Sequence, residues 1–190
     1  MNMNTVFLIH GAYGNPQENW FPWLAAELQK LGVTVIAPKF PTPEDQSLDN
    51  WFLTFKNYED FIDSETIFIA HSLGPAFVLR ILERTKQPVN ACFFVAPFIA
   101  PLGNPTFDDI NKTFLESPFN WTLIRSLCLS FTVMSSDNDP YVPLTQGKEL
   151  AEHLNTTCIV IPGAGHFNTV AGYTQFPLLL ESVQSSLRTK

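Results

Sequence analysis

The sequence predicts an α/β fold: a mainly parallel sheet of six strands held between two layers of helices, a three-layer αβα sandwich. Three observations predict it. Short apolar runs alternate with longer stretches of helical spacing, the rhythm of parallel strands joined by crossover helices. Those runs are nearly continuous in hydrophobicity rather than alternating, so both faces of the sheet are expected to be covered. The third run ends abruptly at a serine, and a helical stretch leaves directly from it.

In chain order, Thr5–Ile9 is the first expected strand. Trp20–Leu31 follows as a helix, with Trp20, Trp23, Leu24 and Leu28 on one stripe. Val33–Ala37 is the second strand and Leu48–Ile62 the second helix. Thr66–Ala70, rich in β-branched residues, is the third strand. Leu73–Arg84 is the next helix, with Pro75 in its first turn, where a missing N–H costs little. Ala91–Val95 is the fourth strand. Pro97–Cys128 breaks the rhythm, with prolines at 97, 101, 105 and 118. This irregular insertion exceeds ordinary connections of about 4–6 residues. It has room for short helices near Phe107–Glu116 and Phe119–Leu127, and it reads either as a small lid or as a plain connection. Ser130–Ser135 and Thr157–Ile161 complete the strands, and Leu144–Leu154 and Gln175–Leu187 the helices.

Composition narrows the function classes. The 190 residues are expected to form one domain, 1–190, with a full-sized core. Charged residues make up 15%, against roughly 25% in average domains. Mean hydropathy is +0.05, and 17 Phe and 4 Trp supply an aromatic-rich interior. A net charge of −7 argues against binding nucleic acid or an anionic membrane surface. Cys92, Cys128 and Cys158 make an odd count without Cys-x-x-Cys spacing, which speaks against a disulfide framework or a zinc site. The start, Met1-Asn2-Met3-Asn4, has no positive leader region and runs straight into a strand. With no apolar run near the ~18 residues of a membrane span, a cytoplasmic protein is expected.

The chemistry centres on Ile67-Phe68-Ile69-Ala70-His71-Ser72-Leu73-Gly74-Pro75. A strand–Ser–helix corner strains the serine backbone and lifts its hydroxyl clear of the sheet. Residues two before and two after crowd together there, so both must be small, as Ala70 and Gly74 are. An activated serine needs a base, and the base needs an orienting group. Of four histidines, His166 in Pro162-Gly163-Ala164-Gly165-His166-Phe167 follows the last strand, and its glycines allow that loop to approach the sheet edge. His71 is expected to point away from the serine in a structural role, His10 to brace the loop after the first strand, and His153 to be a solvated helix residue. The orienting carboxylate is sought in Ser136-Asp137-Asn138-Asp139-Pro140. Asp139 is favoured, because Pro140 biases it towards an extended backbone, and Asp137 is the alternative.

Acyl transfer also needs donors for a developing oxyanion, each worth roughly 3 kcal/mol of barrier. The Leu73 N–H at the helix start is one. The second is assigned to the loop His10-Gly11-Ala12-Tyr13-Gly14, with Ala12 as first choice and Tyr13 as the other. That loop does not complete a phosphate-cradling Gly-x-Gly-x-x-Gly, so no nucleotide cofactor is expected.

These motifs lie in a fixed order along nearly the whole chain: Ile9-His10-Gly11, Asn19-Trp20-Phe21-Pro22-Trp23-Leu24, Ala37-Pro38, Ala70-His71-Ser72-Leu73-Gly74, Asp139-Pro140-Tyr141-Val142-Pro143 and Gly165-His166-Phe167. In that set the chain resembles the retinoblastoma-binding protein 9 and YdeN-like serine hydrolases of the α/β-hydrolase superfamily. The resemblance implies the strand order 2-1-3-4-5-6 and a catalytic set of Ser72, Asp139 and His166. Ala70 departs from the superfamily's usual glycine but matches the YdeN-like version.

The expected activity is that of a cofactor- and metal-independent serine hydrolase, carboxylesterase-like, acting on a small ester, thioester or amide through an acyl-enzyme. The other reading is a protein-binding module on the same fold. Tyr13, Trp20, Phe98 and Trp121 are the candidate pocket residues, within a wider aromatic set of Phe21, Trp23, Phe107 and Phe119. The same aromatics are equally suited to filling the helix–sheet interface.

Overall fold

The computed structural model describes residues 4–188. Its centre is one sheet of six strands: β1 (Thr5–Ile9), β2 (Thr34–Ile36), β3 (Ile67–His71), β4 (Val89–Val95), β5 (Cys128–Ser136) and β6 (Cys158–Ile161). They lie in the order β2-β1-β3-β4-β5-β6, and every adjacent pair is parallel. Met1-Asn2-Met3, part of the start read above for a leader, lies outside the described residues.

Strand pleating divides the core into two. Phe7, Ile9, Phe68, Ala70, Cys92, Phe94 and Val133 face one side of the sheet. Val6, Leu8, Ile67, Ile69, Phe93, Val95 and Met134 face the other. The first side is covered by α2 (Leu48–Phe55), α3 (Gly74–Leu82) and α6 (Leu144–His153), the second by α1 (Phe21–Lys30) and α7 (Pro177–Arg188). Successive side chains alternate faces, so a strand buried on both must be apolar throughout, which is why these runs read as continuous. At 25 cal/mol per Å², burying a Phe or Leu of this kind contributes roughly 2–3 kcal/mol. Phe7, Phe55, Phe68 and Phe77 join Trp51 and Phe40 in a chain of stacked, tilted and edge-on ring contacts that fills the first side.

Several boundaries differ from expectation. The second helix ends at Phe55, and Lys56–Phe61 continues as a 3₁₀ turn with no buried residue. Without a core-facing stripe, nothing holds that stretch in α geometry. The helix expected from Leu73 begins at Gly74 and ends at Leu82. The fourth strand starts at Val89 because that residue pairs with Cys128, two positions before the expected start of its neighbour.

The insertion contains α4 (Pro105–Leu115) and α5 (Trp121–Ser126). Asn104 and Asn120 cap them, each accepting a backbone N–H three residues on, at 3.2 and 3.1 Å. The segment is bonded along its length rather than draped over the domain. Gln146 Oε1 accepts from the Ile99 and Ala100 amides, and the Asp108 carboxylate from those of Leu102 and Gly103. Arg80, on α3 and only 6% exposed, donates to the carbonyls of Phe114, Ser117 and Pro118, pairs with Glu83 at 2.9 Å, and sits 3.8 Å over the Phe119 ring. Glu83 in turn accepts from the Asn120 amide. The helix that leaves Ser72 thereby holds the carboxyl half of the insertion.

Replacing Arg80 by Met removes the donor for three carbonyls and leaves them poorly hydrated, which is expected to cost about 2–4 kcal/mol. Urea unfolding of wild type and Arg80→Met checks this; equal midpoints would mean the guanidinium is not what fixes the segment.

Candidate active site

The chain turns from β3 into α3 at Ser72, whose φ of 60° is left-handed. For a residue with a side chain this conformation costs of order 1–3 kcal/mol and needs surroundings that enforce it. The Ser72 amide donates to the Val95 carbonyl at 2.9 Å, anchoring the corner to β4. Gly74 is small because β1 passes against it: a Cβ there would lie 2.6 Å from the Ile9 carbonyl oxygen. Gly11 is needed for room as well. Its added Cβ would stand 2.6 Å from Ser72 Cβ and 3.1 Å from Ser72 Oγ, so the loop after β1 can close on the serine only through glycine.

That closeness brings two amides to the corner. Among the described residues neither the Ala12 nor the Leu73 amide donates a hydrogen bond. The Tyr13 amide, the other sequence candidate, is occupied: it donates to Thr42 Oγ1 at 2.7 Å. The geometry therefore leaves Ala12 and Leu73 as the pair of free donors.

His166 and Asp139 meet directly. His166 Nδ1 donates to Asp139 Oδ2 at 2.7 Å, with the carboxylate side chain 2% exposed and the imidazole 11%. Asp139 Oδ1 accepts from the Tyr141 and Val142 amides at 2.9 and 3.0 Å, which fixes the carboxylate plane. With Nδ1 engaged, Nε2 is the ring nitrogen left for chemistry. Ser72, His71 and His166 line the same cleft. No hydrogen bond joins the Ser72 hydroxyl to the imidazole in this geometry, and contacts of this type tighten when a substrate fills the site.

Asp137, the alternative carboxylate, faces elsewhere: it accepts from the Gly163 amide at 2.8 Å. Asn138 Oδ1 accepts from the Gly165 amide at 2.7 Å and from Ser136 Oγ. Three consecutive side chains of the β5 loop thus engage three points of the loop after β6, ending at the imidazole. Asn138 was not singled out from the sequence, and its only signal was its place between the two aspartates.

Two further bonds hold the histidine loop. His71 Nε2 donates to the His166 carbonyl at 2.8 Å, and Trp20 Nε1 donates to the Phe167 carbonyl at 3.0 Å. The His71 ring lies 4.7 Å from that of His166. Burial, and then the neighbouring His166, push the His71 pKa down to about 3, so His71 is neutral beside the site. His10 is neutral too. Burial lowers its pKa; its Nε2 accepts from the Phe40 amide at 3.0 Å, which leaves Nδ1 to donate to the Gly11 carbonyl at 2.8 Å. His153, expected to be a solvated helix residue, keeps 38% of its side chain exposed and also stacks on Trp121 at 4.3 Å and 5°.

The cleft has a volume of about 830 Å³. Of the four candidate pocket aromatics, only Tyr13 lines it. Trp20 is 0% exposed, stacked on Phe21 with its indole N–H spent on Phe167. Phe98 is also fully buried, behind Phe107, and Trp121 packs on Phe119 and His153 away from the cleft. These three are corrections to the sequence reading: their rings satisfy the core. The rings that do line the cleft are Tyr13, Phe21, Phe107 and Tyr141, the last edge-on to His166 at 5.1 Å and 85°. Among the described residues no helix is long and apolar enough to cross a membrane.

Comparison with known proteins identifies the family and the fold. The profile of the family described as serine hydrolase matches residues 6–185. YdeN of Bacillus subtilis (strain 168) is 28% identical over 182 residues, covering 95% of this chain and 94% of that one. Serine hydrolase RBBP9 of Rattus norvegicus is 28% identical over 169 residues, covering 88% and 86%. The crystal structure of the B. subtilis ydeN product superposes with a TM-score of 0.90 at 27% identity over 97% of this chain and 98% of that one. Est1E from Butyrivibrio proteoclasticus, 15% identical, shares the fold at a TM-score of 0.73, over 98% of this chain and 89% of that one.

The buried neutral histidines make stability depend on pH. His71 binds its proton near pH 6.5 when unfolded and near 3 when folded, so the unfolded chain takes up a proton that the native one refuses. Its contribution is complete above 6.5 and is lost as pH falls, at up to about 1.4 kcal/mol per unit. His71→Gln keeps an N–H for the His166 carbonyl but does not titrate. Urea unfolding from pH 7 to 5 is expected to be shallower in pH for the variant by about 1 kcal/mol per unit; parallel curves would show that His71 does not stay neutral.

Proposed function

We propose, for a chain that belongs to the serine hydrolase family, that Ser72 attacks the carbonyl of a small ester, thioester or amide and forms an acyl-enzyme. The observation that carries this reading is the His166–Asp139 pair, 2.7 Å apart, in one cleft with a serine held at positive φ. A purely binding role would leave both the strained corner and the oriented imidazole without a use.

In this mechanism His166 Nε2 takes the Ser72 Oγ proton as Oγ bonds to the substrate carbonyl carbon. Asp139 keeps Nδ1 protonated and stabilises the imidazolium that results. The carbonyl oxygen becomes an oxyanion, and the Ala12 and Leu73 amides donate to it. Both are fixed in place beforehand by the Gly11 and Gly74 close contacts, so little reorganisation is needed as charge develops. His166 then returns the proton to the leaving oxygen, sulfur or nitrogen, and the carbon–heteroatom bond breaks. A water molecule, deprotonated by the same nitrogen, attacks the acyl-enzyme and releases the acid and Ser72.

A cleft of about 830 Å³ lies within the ~300–1,000 Å³ usual for small ligands, which supports a small-molecule acyl substrate. Two neutral histidines close by, His71 and His10, hold structure without placing a second positive charge beside the base. Localisation in the cytoplasm belongs to the same proposal.

Kinetics on short-chain p-nitrophenyl esters test the roles. Ser72→Ala and His166→Ala are expected to lower kcat by at least about 1,000-fold, and Asp139→Asn by about as much. Asp137→Asn is expected to change kcat by no more than about fivefold, because the asparagine oxygen still accepts from Gly163. Full activity in Ser72→Ala, or a larger loss at residue 137 than at 139, would refute these roles.

A further inference from the structure

We propose that Tyr13 and Phe107 form a stacking platform for a planar aromatic acyl group, so that the substrates are esters, thioesters or amides of aryl or arylalkyl carboxylic acids. This rests on the serine hydrolase reading and adds which acyl group the site accepts.

The two rings line the cleft that holds Ser72, with centroids 6.3 Å apart and planes within 20° of parallel. Tyr13 is unusual twice over: it is 53% exposed, and its φ of 59° is left-handed. An exposed aromatic on a strained backbone is costly unless its position is used.

Its position is also enforced. The Tyr13 amide donates to Thr42 Oγ1, whose hydroxyl donates to Gln46 Oε1. Gln46 Nε2 donates to the Ile110 carbonyl at 3.0 Å and to Asn111 Oδ1 at 2.7 Å. Asn111, fully buried, closes the chain by donating to the Phe107 carbonyl at 2.8 Å. A continuous run of hydrogen bonds therefore ties the backbone under one ring to the backbone under the other. Buried Phe98 supports Phe107 from behind at 5.8 Å. Two aromatics touching by chance on a surface need none of this.

The chemistry says which part of the substrate meets them. His166 must protonate the leaving atom, so the leaving group lies on its side of the cleft. The carbonyl oxygen points to the Ala12 and Leu73 amides. The remaining substituent on the carbonyl carbon, the acyl chain, is then directed along the loop that continues from Ala12 to Tyr13. The cleft lining includes no lysine or arginine, and its one carboxylate is Glu18, so a neutral aromatic acyl group suits it better than an anionic one.

Ring-to-ring stacking discriminates by flatness rather than bulk, so the test pairs a phenyl ligand with its saturated counterpart. In Ser72→Ala protein, NMR titration with 3-phenylpropanamide and 3-cyclohexylpropanamide is expected to show about fivefold tighter binding of the phenyl compound, equivalent to about 1 kcal/mol. Phe107→Leu should bring that ratio to about one, and Tyr13→Leu, changing a half-exposed ring, is the independent second variant. Equal binding of the two amides, or a preference that survives both variants, overturns the platform. In wild type the same ratio is expected in kcat/KM for the matching p-nitrophenyl esters. If the phenyl preference depends on Phe107 while Ser72→Ala hydrolyses as fast as wild type, the platform stands and the hydrolase reading falls.

Discussion

The left-handed backbone of Ser72 is the constraint that the rest of the site answers to. It can exist only where neighbours leave no cheaper conformation, and two strands and one loop supply them. β4 holds the Ser72 amide through the Val95 carbonyl, β1 presses its Ile9 carbonyl against Gly74, and the loop after β1 closes over the hydroxyl at Gly11. The sheet order places β3 between β1 and β4, so both clamps come from immediate neighbours. A single turn thus sets the attitude of the hydroxyl and brings two unspent amides beside it.

The histidine–aspartate half of the site is assembled differently, by one loop holding another. Asp137, Asn138 and Asp139 reach across from the end of β5 to Gly163, Gly165 and His166, while His71 and Trp20 grip the carbonyls of His166 and Phe167 from the β3 corner and the residue before α1. The imidazole is therefore positioned from two directions, one of them the residue adjoining the serine. Burial keeps His71 neutral, which makes it a donor to a carbonyl rather than a competing charge.

Much of this was legible in the sequence because it follows from local pattern. Strands buried on both faces announce themselves as unbroken apolar runs, and the Ala70–Gly74 corner needs small residues that the chain visibly has. The glycines before His166 signalled a loop that can approach the sheet edge, and Pro140 singled out Asp139, the carboxylate that meets the imidazole. What stayed hidden depends on contacts far along the chain. Trp20 sits at the start of a helix near the site and reads as a pocket residue, yet its indole N–H belongs to a carbonyl 147 positions away. Phe98 and Phe107 lie in the same insertion, and only tertiary packing decides that one supports the other. The partner of His71, 95 residues on, and the engagement of the Tyr13 amide by Thr42 were beyond any local rule.

The central claim is that the Ser72 hydroxyl is a nucleophile activated by His166, and covalent labelling addresses it most directly. Treatment with a fluorophosphonate, followed by intact-mass and peptide analysis, is predicted to give a single adduct on Ser72. His166→Ala is predicted to slow its formation by at least about 100-fold. An adduct at another residue, or none under conditions that saturate an authentic serine hydrolase, would contradict the account.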